Sequence, residues 1–424
     1  MKNYLNRVPQ ELQDLIKLAS DISLRSNMPA YLVGGFVRDL ILGVKNLDLD
    51  IVVEGDAIKF AADFAFYLKA KLTTHRRFGT ATVIISHSLK VDFATARKET
   101  YPHAACLPLV TFGSLKDDLA RRDLTINAMA ISLSPNEFGR FIDLFNGQND
   151  LKNKIIRVLH DLSFIDDPTR VLRAIRFEQR YDFRIEPKTT GYLKEAVKLK
   201  MLKKVQPQRL REELILILKE NQPLKPIRRI QGLSGFDFIS PGMSVSKKTY
   251  AFLKRVEKQI KWFKETHLSR RKLDVWVMYF TGLVEARSIN EIRGICSRFV
   301  FRKGEEKRIM GYKKIKPGLI RKLSRSHIKP SQLFWRLEPL SYEVILLIKA
   351  KYKRGALQKN ITDFLKMYNG MRIYTSGEHL RQLGLLPGPG YQKIFRKVLN
   401  ARLDGWVRTK EEEFTLVKKF LKTK

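Results

Sequence analysis

Two aspartates separated by a single residue, Asp48 and Asp50, are the strongest candidates for chemistry in this sequence. Residues 46–53 alternate polar and apolar side chains, with Leu49 and Ile51 apolar, which is typical of a half-buried strand. Because side chains two apart on a strand share one face, the two carboxylates are expected to lie close together. Two such charges repel each other unless a divalent cation joins them, and oxygen ligands beside phosphate suit Mg²⁺. On this pattern alone, a solvated strand face explains the pair equally well.

A glycine pair shortly before these aspartates favours the metal interpretation. Gly34 and Gly35 follow an apolar, strand-like run and precede a helical pattern with Arg38 in its first turn. A strand that turns into a helix through glycine exposes backbone N–H groups at the helix N-terminus, and these suit an anion such as a triphosphate. A triphosphate site beside a pair of acids predicts phosphoryl transfer.

Asp92 is a third candidate acid, on the alternating run of residues 90–95. Two-metal phosphoryl transfer uses carboxylates that bridge two ions, one beside the attacking hydroxyl and one beside the leaving pyrophosphate. A single acid in such a run is as often an ordinary edge-strand charge. Both interpretations of Asp92 stay open.

Asp167 and Arg170 form a second polar pair, three residues apart in a helical pattern. Side chains at this spacing are neighbours on the helix surface. Cytosine and adenine each present an amino group beside a ring-nitrogen acceptor, whereas guanine and uracil present a carbonyl and a ring N–H. A carboxylate beside a guanidinium therefore matches C and A and rejects G and U. The alternative is structural, because Asp167 followed by Pro168 is also a standard helix start.

The elements that position these residues change in kind along the chain. The first 150 residues contain a helical pattern at 57–71 and β-prone runs at 30–35, 47–54, 81–86, 90–95 and 129–133. Amphipathic helical patterns dominate afterwards, among them 171–177, 192–202, 209–219 and 250–266. We predict an α+β fold with a mixed-sheet N-terminal domain and an all-α remainder.

The charge is distributed as unevenly as the secondary structure. Residues 1–150 hold 18 Lys and Arg against 17 Asp and Glu, whereas residues 151–424 hold 63 against 26. A surface this basic suits a polyanion, of which nucleic acid is the commonest. A Lys-rich thermophile surface is the alternative, but it normally carries matching Glu, which is missing here.

Cysteine, histidine and hydropathy patterns exclude several other classes. Cys106 and Cys296 are far apart and have no CxxC spacing, so neither a disulfide framework nor a zinc site is expected. The seven histidines form no HxxxH or HExxH pattern. No signal-peptide pattern and no apolar run of ~20 residues is present. We expect a cytoplasmic protein without a membrane partner.

Four motifs, in their order and spacing, resemble the bacterial class II CCA-adding enzyme and poly(A) polymerase family of tRNA nucleotidyltransferases. They are GGFVRD at residues 34–39, LDLDIV at 47–52, RRDLTINAM at 121–129 and DPTRVLRAIRF at 167–177. The resemblance implies a polymerase-β-like nucleotidyltransferase head at residues 1–140. All-α neck, body and tail domains are expected at 141–222, 223–320 and 321–424.

The same resemblance implies roles for individual residues. Asp48 and Asp50 match the metal-binding pair, and Asp167 and Arg170 match the pair that reads the incoming base. The other nucleotide-binding positions match Gly35, Arg38, Arg122, Arg173 and Arg176.

Some segments depart from the family or admit a second interpretation. Gln208 stands where CCA-adding members often have Glu, which puts any role of that carboxylate in doubt, and Asp166 replaces a common Glu without a role assigned here. Residues 98–114 are expected to form the mobile loop found in members that add the terminal A. Residues 388–390, Gly-Pro-Gly, are either a contact for an RNA phosphate or an ordinary turn between helices.

The combined expectation is a template-independent enzyme that adds the terminal A, alone or as part of CCA, to the 3′ end of tRNA. Its expected partners are the acceptor and T arms of tRNA, ATP and, for full CCA addition, CTP, with Mg²⁺ as cofactor and no DNA. A poly(A) polymerase shares every motif and is the alternative. A non-catalytic RNA-binding protein on the same fold is more remote, because the acid pair and the base-reading pair are both intact.

Overall fold

The computed structural model describes residues 4–44, 48–87, 89–266 and 272–422. The chain forms two compact units, Met1–Met243 and Ser244–Lys424, and each is described by itself. The first unit combines a mixed β-sheet with helices. The described residues of the second unit form helices and turns without a strand. The predicted α+β class, with an all-α C-terminal part, is confirmed.

The centre of the first unit is a seven-stranded sheet. The strands in chain order are β1 (Ala30–Val33), β2 (Leu49–Val53), β3 (Lys71–His75), β4 (Thr80–Ile84), β5 (Lys90–Thr95), β6 (Arg97–Thr100), β7 (Leu109–Phe112), β8 (Met129–Ser132), β9 (Phe141–Asp143), β10 (Ile155–Ile156) and β11 (Arg184–Ile185). The sheet order is β3-β4-β5-β2-β1-β8-β9. Strands β2 and β5 are parallel and the other neighbours are antiparallel. Strands β6 and β7 form a separate hairpin, and β10 and β11 a small parallel pair.

Helices cover this sheet and continue beyond it. Those of the first unit are α1 (Gln10–Ser26), α2 (Gly35–Leu42), α3 (Ala57–Leu68), α4 (Leu115–Ala120), α5 (Gly147–Lys152), α6 (Ser163–Asp166), α7 (Thr169–Tyr181), α8 (Pro187–Lys198), α9 (Pro207–Leu218) and α10 (Leu224–Leu233). A short 3-10 helix at Arg76–Phe78 joins β3 to β4.

Helix α3 shows how local sequence sets this packing. Asp56 caps its start, because the side chain accepts from the backbone N–H groups of Ile58 at 2.9 Å and Lys59 at 3.1 Å. Phe60 and Phe64 are one turn apart and wholly buried, and their rings lie 5.7 and 5.1 Å from that of Phe93 on β5. The aromatic contacts hold the helix against the strand that carries Asp92.

The predicted elements of the first unit are largely present, with two differences. The predicted strand at 47–54 appears as β2, although residue 47 lies outside the described residues. The segment predicted as a loop at 98–114 is mostly the β6–β7 hairpin, because Arg97–Thr100 pairs with Leu109–Phe112. Strand β9, just beyond residue 140, pairs with β8 in the main sheet.

The second unit contains two helices that are buried on nearly all sides. Its helices are α11 (Lys247–Glu265), α12 (Val275–Leu283), α13 (Ile289–Arg298), α14 (Lys303–Lys313), α15 (Pro317–Leu323), α16 (Pro330–Leu337), α17 (Tyr342–Lys351), α18 (Gly355–Asp363), α19 (Gly377–Gln382), α20 (Pro389–Leu403) and α21 (Lys410–Lys422). Almost every residue of α12 and α17 is buried, including Glu343 and Lys349 of α17, and α12 has the all-round apolar sequence typical of a buried helix. Among the described residues, no helix is long and apolar enough to cross a membrane.

Charge separates the two units clearly. Residues 244–424 contain 43 Lys and Arg against 15 Asp and Glu, whereas residues 1–243 contain 38 against 28. Most of the net positive charge therefore lies on the helical unit, while the candidate site residues lie in the first unit.

Candidate functional site

The turn between β1 and α2 requires glycine for two reasons. Gly34 has φ +68°, a conformation that residues with a Cβ rarely adopt. A Cβ at Gly34 would also lie 2.5 Å from Nη1 of Arg122. The turn therefore brings the backbone at the start of α2 against the Arg122 guanidinium, an arrangement with positive charge and N–H donors in one place.

Arg38 is fixed beside this turn by a set of polar and aromatic contacts. Its Nε donates to Asp39 at 2.8 Å and its Nη1 donates to the Asn127 side-chain oxygen at 2.6 Å. The guanidinium lies 5.1 Å from the ring centroids of both Phe177 and Tyr181. Because Arg38 is only 4% exposed and held from several sides, its position is set before any ligand binds.

Arg122 is anchored from the other side of the turn. Its Nη2 donates to Asp118 at 2.9 Å, and the wholly buried Asp118 also pairs with Arg121 at 2.6 Å. The two arginines hold the pKa of Asp118 below its usual value despite burial. The buried Nε of Arg122 has no hydrogen-bond partner among the described residues.

The predicted acids meet on neighbouring strands. Asp50 on β2 and Asp92 on β5 are register partners in the parallel pair, and Asp48 immediately precedes β2. Burial, assisted by the charges of Asp92 and Asp48, raises the pKa of Asp50 to about 6. Lys90 pairs with Asp92, and all three carboxylates raise the pKa of this lysine. Asp50 and Asp92 are thus neighbours across two strands and Asp48 is two residues from Asp50, but no group of three residues that could hold a metal ion is preformed among the described residues.

A cleft of about 830 Å³ joins the turn, Asp50 and the start of α7. Seven of the ten predicted site residues line it, namely Gly35, Arg38, Asp50, Arg122, Asp167, Arg170 and Arg173. Asp48, Asp92 and Arg176 do not line it. The cleft is strongly basic, so it suits a ligand with several negative charges.

Asp167 caps helix α7 and also lines the cleft. One carboxylate oxygen accepts from the Thr169 backbone N–H at 3.1 Å and from the Thr169 hydroxyl at 2.6 Å, which caps the start of α7. The other accepts from Nη2 of Arg209 on α9 at 2.7 Å. Asp167 therefore serves as a helix cap and also presents a charged, oriented group to the cleft.

Arg170 is held away from Asp167 rather than paired with it. Its Nη1 donates to the Ser163 hydroxyl at 2.8 Å and its Nη2 donates to the Arg121 carbonyl at 2.7 Å. Asp167 takes its guanidinium partner from Arg209 instead. The predicted fork between Asp167 and Arg170 is not formed among the described contacts, although both side chains line the cleft.

Arg173 and Arg176, one turn apart on α7, face different surroundings. Arg173 lines the cleft and bridges Asp123 at 2.8 Å and Glu213 at 3.0 Å. This arginine holds the pKa of the buried Asp123 at about 2. Arg176 is buried outside the cleft, 3.6 Å from Glu213, with its guanidinium over the Phe177 ring at 4.5 Å. Only Arg173 of the two reaches the cleft.

Several cleft residues had no role in the sequence analysis. They are Arg97, Glu99, Tyr101, Arg121, Arg180 and Arg209. Arg209 begins the predicted helical pattern at 209–219, yet nothing local indicated that it reaches Asp167, 42 residues away. Gln208 is exposed, and Asp166 lies near His160 at 4.0 Å. Gly388 precedes α20 in the second unit.

The glycine turn, Asp50 and Asp92 on adjacent strands, and the basic cleft define a nucleotidyltransferase head. Residues 30–157 match the family model described as the Poly A polymerase head domain. An A-adding tRNA nucleotidyltransferase of Geobacter sulfurreducens is 40% identical over 96% of the chain, which spans only 46% of that protein. An A-adding tRNA nucleotidyltransferase of Halalkalibacterium halodurans is 30% identical over 97% of the chain and 93% of its own length.

A solved structure extends the likeness over the whole chain. The Thermotoga maritima CCA-adding enzyme complexed with tRNA is 36% identical, with a TM-score of 0.71 and coverage of 99% of this chain and 98% of that one. The chain belongs to the family of A-adding and CCA-adding tRNA nucleotidyltransferases. It is thus an enzyme, and enzymes of this family use divalent metal ions in general.

Proposed function

We propose that this enzyme adds the terminal A to the 3′ end of tRNA, transferring AMP from ATP with release of pyrophosphate. The observation that supports this proposal is the cleft, because it is lined by the Gly34 turn, Asp50 and Asp167, which we assign to the phosphates, the metal and the base. Two A-adding relatives that are similar over nearly all of this chain support A addition, and the similarity to the Thermotoga maritima CCA-adding enzyme makes full CCA addition the alternative.

Asp48, Asp50 and Asp92 are proposed to hold the metal, and their carboxylate oxygens favour Mg²⁺. When bound, the metal neutralises phosphate charge and makes the RNA 3′-hydroxyl a better nucleophile. The N–H groups at the start of α2, with Arg38 and Arg122, hold the triphosphate. Because Arg38 is already anchored by Asp39 and Asn127, it can orient the phosphates without reorganising.

The base lies against α7, where Asp167 and Arg170 select it and Arg173 adds a nucleotide contact. Adenine offers an amino donor to the Asp167 carboxylate, and guanine offers a carbonyl that this carboxylate repels. Arg209 is a positioning residue, because its hydrogen bond holds the Asp167 carboxylate in a fixed orientation. Arg176 acts less directly, by supporting Phe177 beneath the site.

The RNA is proposed to bind mainly to the basic second unit, with its acceptor and T arms on the predicted body and tail and its 3′ end in the cleft. The division into head, neck, body and tail at residues 140, 222 and 320 stays a prediction. A cytoplasmic location is also proposed, and the two free cysteines are compatible with a reducing compartment.

The test offers the purified protein tRNAs that end before the CCA, after one C and after two C residues. Each is incubated with Mg²⁺ and ATP, CTP or both, and the products are sized. We expect one nucleotide added from ATP to the tRNA that already ends in two C residues, and little extension of the other two. Growth by several residues on the shortest tRNA indicates CCA addition, and a long product indicates poly(A) synthesis; either overturns the proposal.

Arg209→Ala is expected to weaken base selection more than catalysis. Without Arg209, the Asp167 carboxylate loses a 2.7 Å partner and its fixed orientation. Since base-reading contacts are worth roughly 1–3 kcal/mol, the ratio of kcat/KM for ATP to that for GTP should fall by about 10- to 100-fold. Single-nucleotide addition with each triphosphate measures this ratio.

Arg211→Ala on the same helix is the matched control, and Arg209→Lys should restore the ratio only in part, because Lys lacks the planar fork. If Arg209→Ala melts at a lower temperature but keeps the full preference for ATP, Arg209 supports only the fold.

A further inference from the structure

The β6–β7 hairpin exposes apolar side chains that the fold does not use. Phe112 on β7 is 82% exposed, and Phe78, at the end of the short helix after β3, is 57% exposed. Leu109 and Val110 of the same hairpin are also exposed, so every residue of β7 is exposed to solvent. Clustered exposed apolar side chains on one edge of a protein usually mark an interaction site.

Phe78 and Phe112 line a common cavity of about 360 Å³ between the hairpin and the β3–β4 connection. Arg76, Arg77 and Arg97 line it too, against a single acid, Asp56. Arg97 is paired with Glu99 at 2.8 Å, but neither Arg76 nor Arg77 has a carboxylate partner among the described residues. The cavity therefore combines flat aromatic faces with unneutralised positive charge.

This cavity adjoins the candidate active site. Arg77, Phe78, Arg97 and Val110 line both the cavity and the 830 Å³ cleft that contains Asp50. Phe78 lines both the cleft and the cavity, whereas Phe112 lines the cavity alone. A ligand that contacts both the cleft and Phe112 must therefore extend out of the cleft.

We propose that the cavity binds the unpaired 3′ strand of the RNA, just upstream of the nucleotide that reacts. The proposal rests on the proposed function, which places the RNA 3′ end in the cleft. Bases stack on Phe78 and Phe112, and the phosphates between them meet Arg76 and Arg77. Aromatic faces with arginines bind single strands without reading their sequence, which suits an enzyme that acts on many tRNAs.

The charge of the cavity and the residues that it shares with the cleft favour RNA over a protein as its occupant. Three arginines against one aspartate complement a phosphate backbone. An apolar protein partner would cover the phenylalanines but leave Arg76 and Arg77 facing it without counter-charge, at a desolvation cost.

The experiment measures addition of A to tRNA ending in two C residues by the full chain carrying Phe78→Ala, Phe112→Ala or both. Phe66→Ala is the matched control, because Phe66 is 79% exposed on α3 and lines neither cavity nor cleft. Each cavity variant should raise KM for tRNA by about tenfold, and the double variant by more. KM for ATP should stay within about twofold of wild type in Phe112→Ala, because Phe112 lies outside the cleft. Phe112→Trp should keep KM for tRNA near the wild-type value, since a larger ring stacks at least as well.

Stacking is read directly with 2-aminopurine at the residue before the two C residues. The wild-type protein and Phe66→Ala should quench its fluorescence, and the double variant should not. If the cavity variants match Phe66→Ala in both measurements, or if only KM for ATP changes, the proposal is overturned. Reduced self-association of the double variant in sedimentation, with an unchanged KM for tRNA, would assign the surface to contacts between copies. Failure of the proposed function is distinguishable, because the wild type itself would then add no nucleotide to this tRNA.

Discussion

We expect Asp50→Asn to lower the rate of nucleotide addition by about 10³-fold or more and to change the affinity for tRNA little. The reason is that, of the three acids proposed to hold the metal, Asp50 is the one that lines the cleft, and it neighbours both Asp48 and Asp92. Loss of its charge removes a metal ligand, and a metal ion contributes several kcal/mol of transition-state stabilisation, of which each 1.4 kcal/mol is a factor of ten in rate. Single-turnover addition of A at saturating ATP measures the rate.

The fold of this variant is expected to be unharmed. Because the folded protein raises the pKa of Asp50 to about 6, it holds the proton more tightly than the unfolded chain, and ionisation above that pH opposes folding. In metal-free buffer at pH 8, Asp50→Asn should therefore melt at or above the wild-type temperature. Asp63→Asn, on α3, is the control and should change neither quantity. A rate for Asp50→Asn within tenfold of wild type would contradict the assignment of Asp50 as a metal ligand.

The second large effect concerns RNA affinity, which should fall steeply with salt. The second unit carries 43 basic against 15 acidic residues, and every phosphate that it neutralises releases a condensed counterion. For a protein that contacts 6–10 phosphates, the affinity for tRNA falls by about 10³-fold or more between 50 and 200 mM salt. Gel-shift or anisotropy titrations at several salt concentrations give the slope.

The same titrations locate the binding surface when they include a chain that ends at Met243, the boundary of the first compact unit. This truncated protein should bind ATP but lose most affinity for tRNA, and its remaining salt dependence should be shallow. Circular dichroism and ATP binding serve as the folding control. Equal tRNA affinity of the two proteins, or binding that ignores salt, would place the RNA on the first unit instead.

Features that depend on neighbours in the chain were predictable from the sequence. The alternating pattern predicted strand β2 and placed Asp50 on it, and Asp48 immediately precedes the first residue of this strand. Gly34 was predictable as a turn residue for a similar reason, since its φ of +68° is a local requirement. The change from alternating to helical periodicity near residue 150 likewise indicated the α+β fold.

Contacts between distant segments were decided by tertiary structure. Asp92 could be named from its strand pattern, but its place beside Asp50 depends on the register of β2 and β5, which the sequence did not specify. Arg176 has the spacing of a nucleotide contact, yet the packing of α7 against α9 directs it toward Glu213 and away from the cleft.

The partner of Arg209 and the form of the β6–β7 hairpin were also decided by tertiary structure. The carboxylate of Asp167 has more than one arginine within reach in the chain's cleft, and the placement of α9 decides that Arg209, not Arg170, becomes its partner. Residues 98–114 carry Pro and Gly and predict a loop, but pairing of two short strands gives the hairpin its exposed aromatic edge. Local backbone geometry thus determined which residues can do chemistry, whereas strand register and helix packing determined which of them meet, because a side chain's partners are set by the packing of segments far apart in sequence.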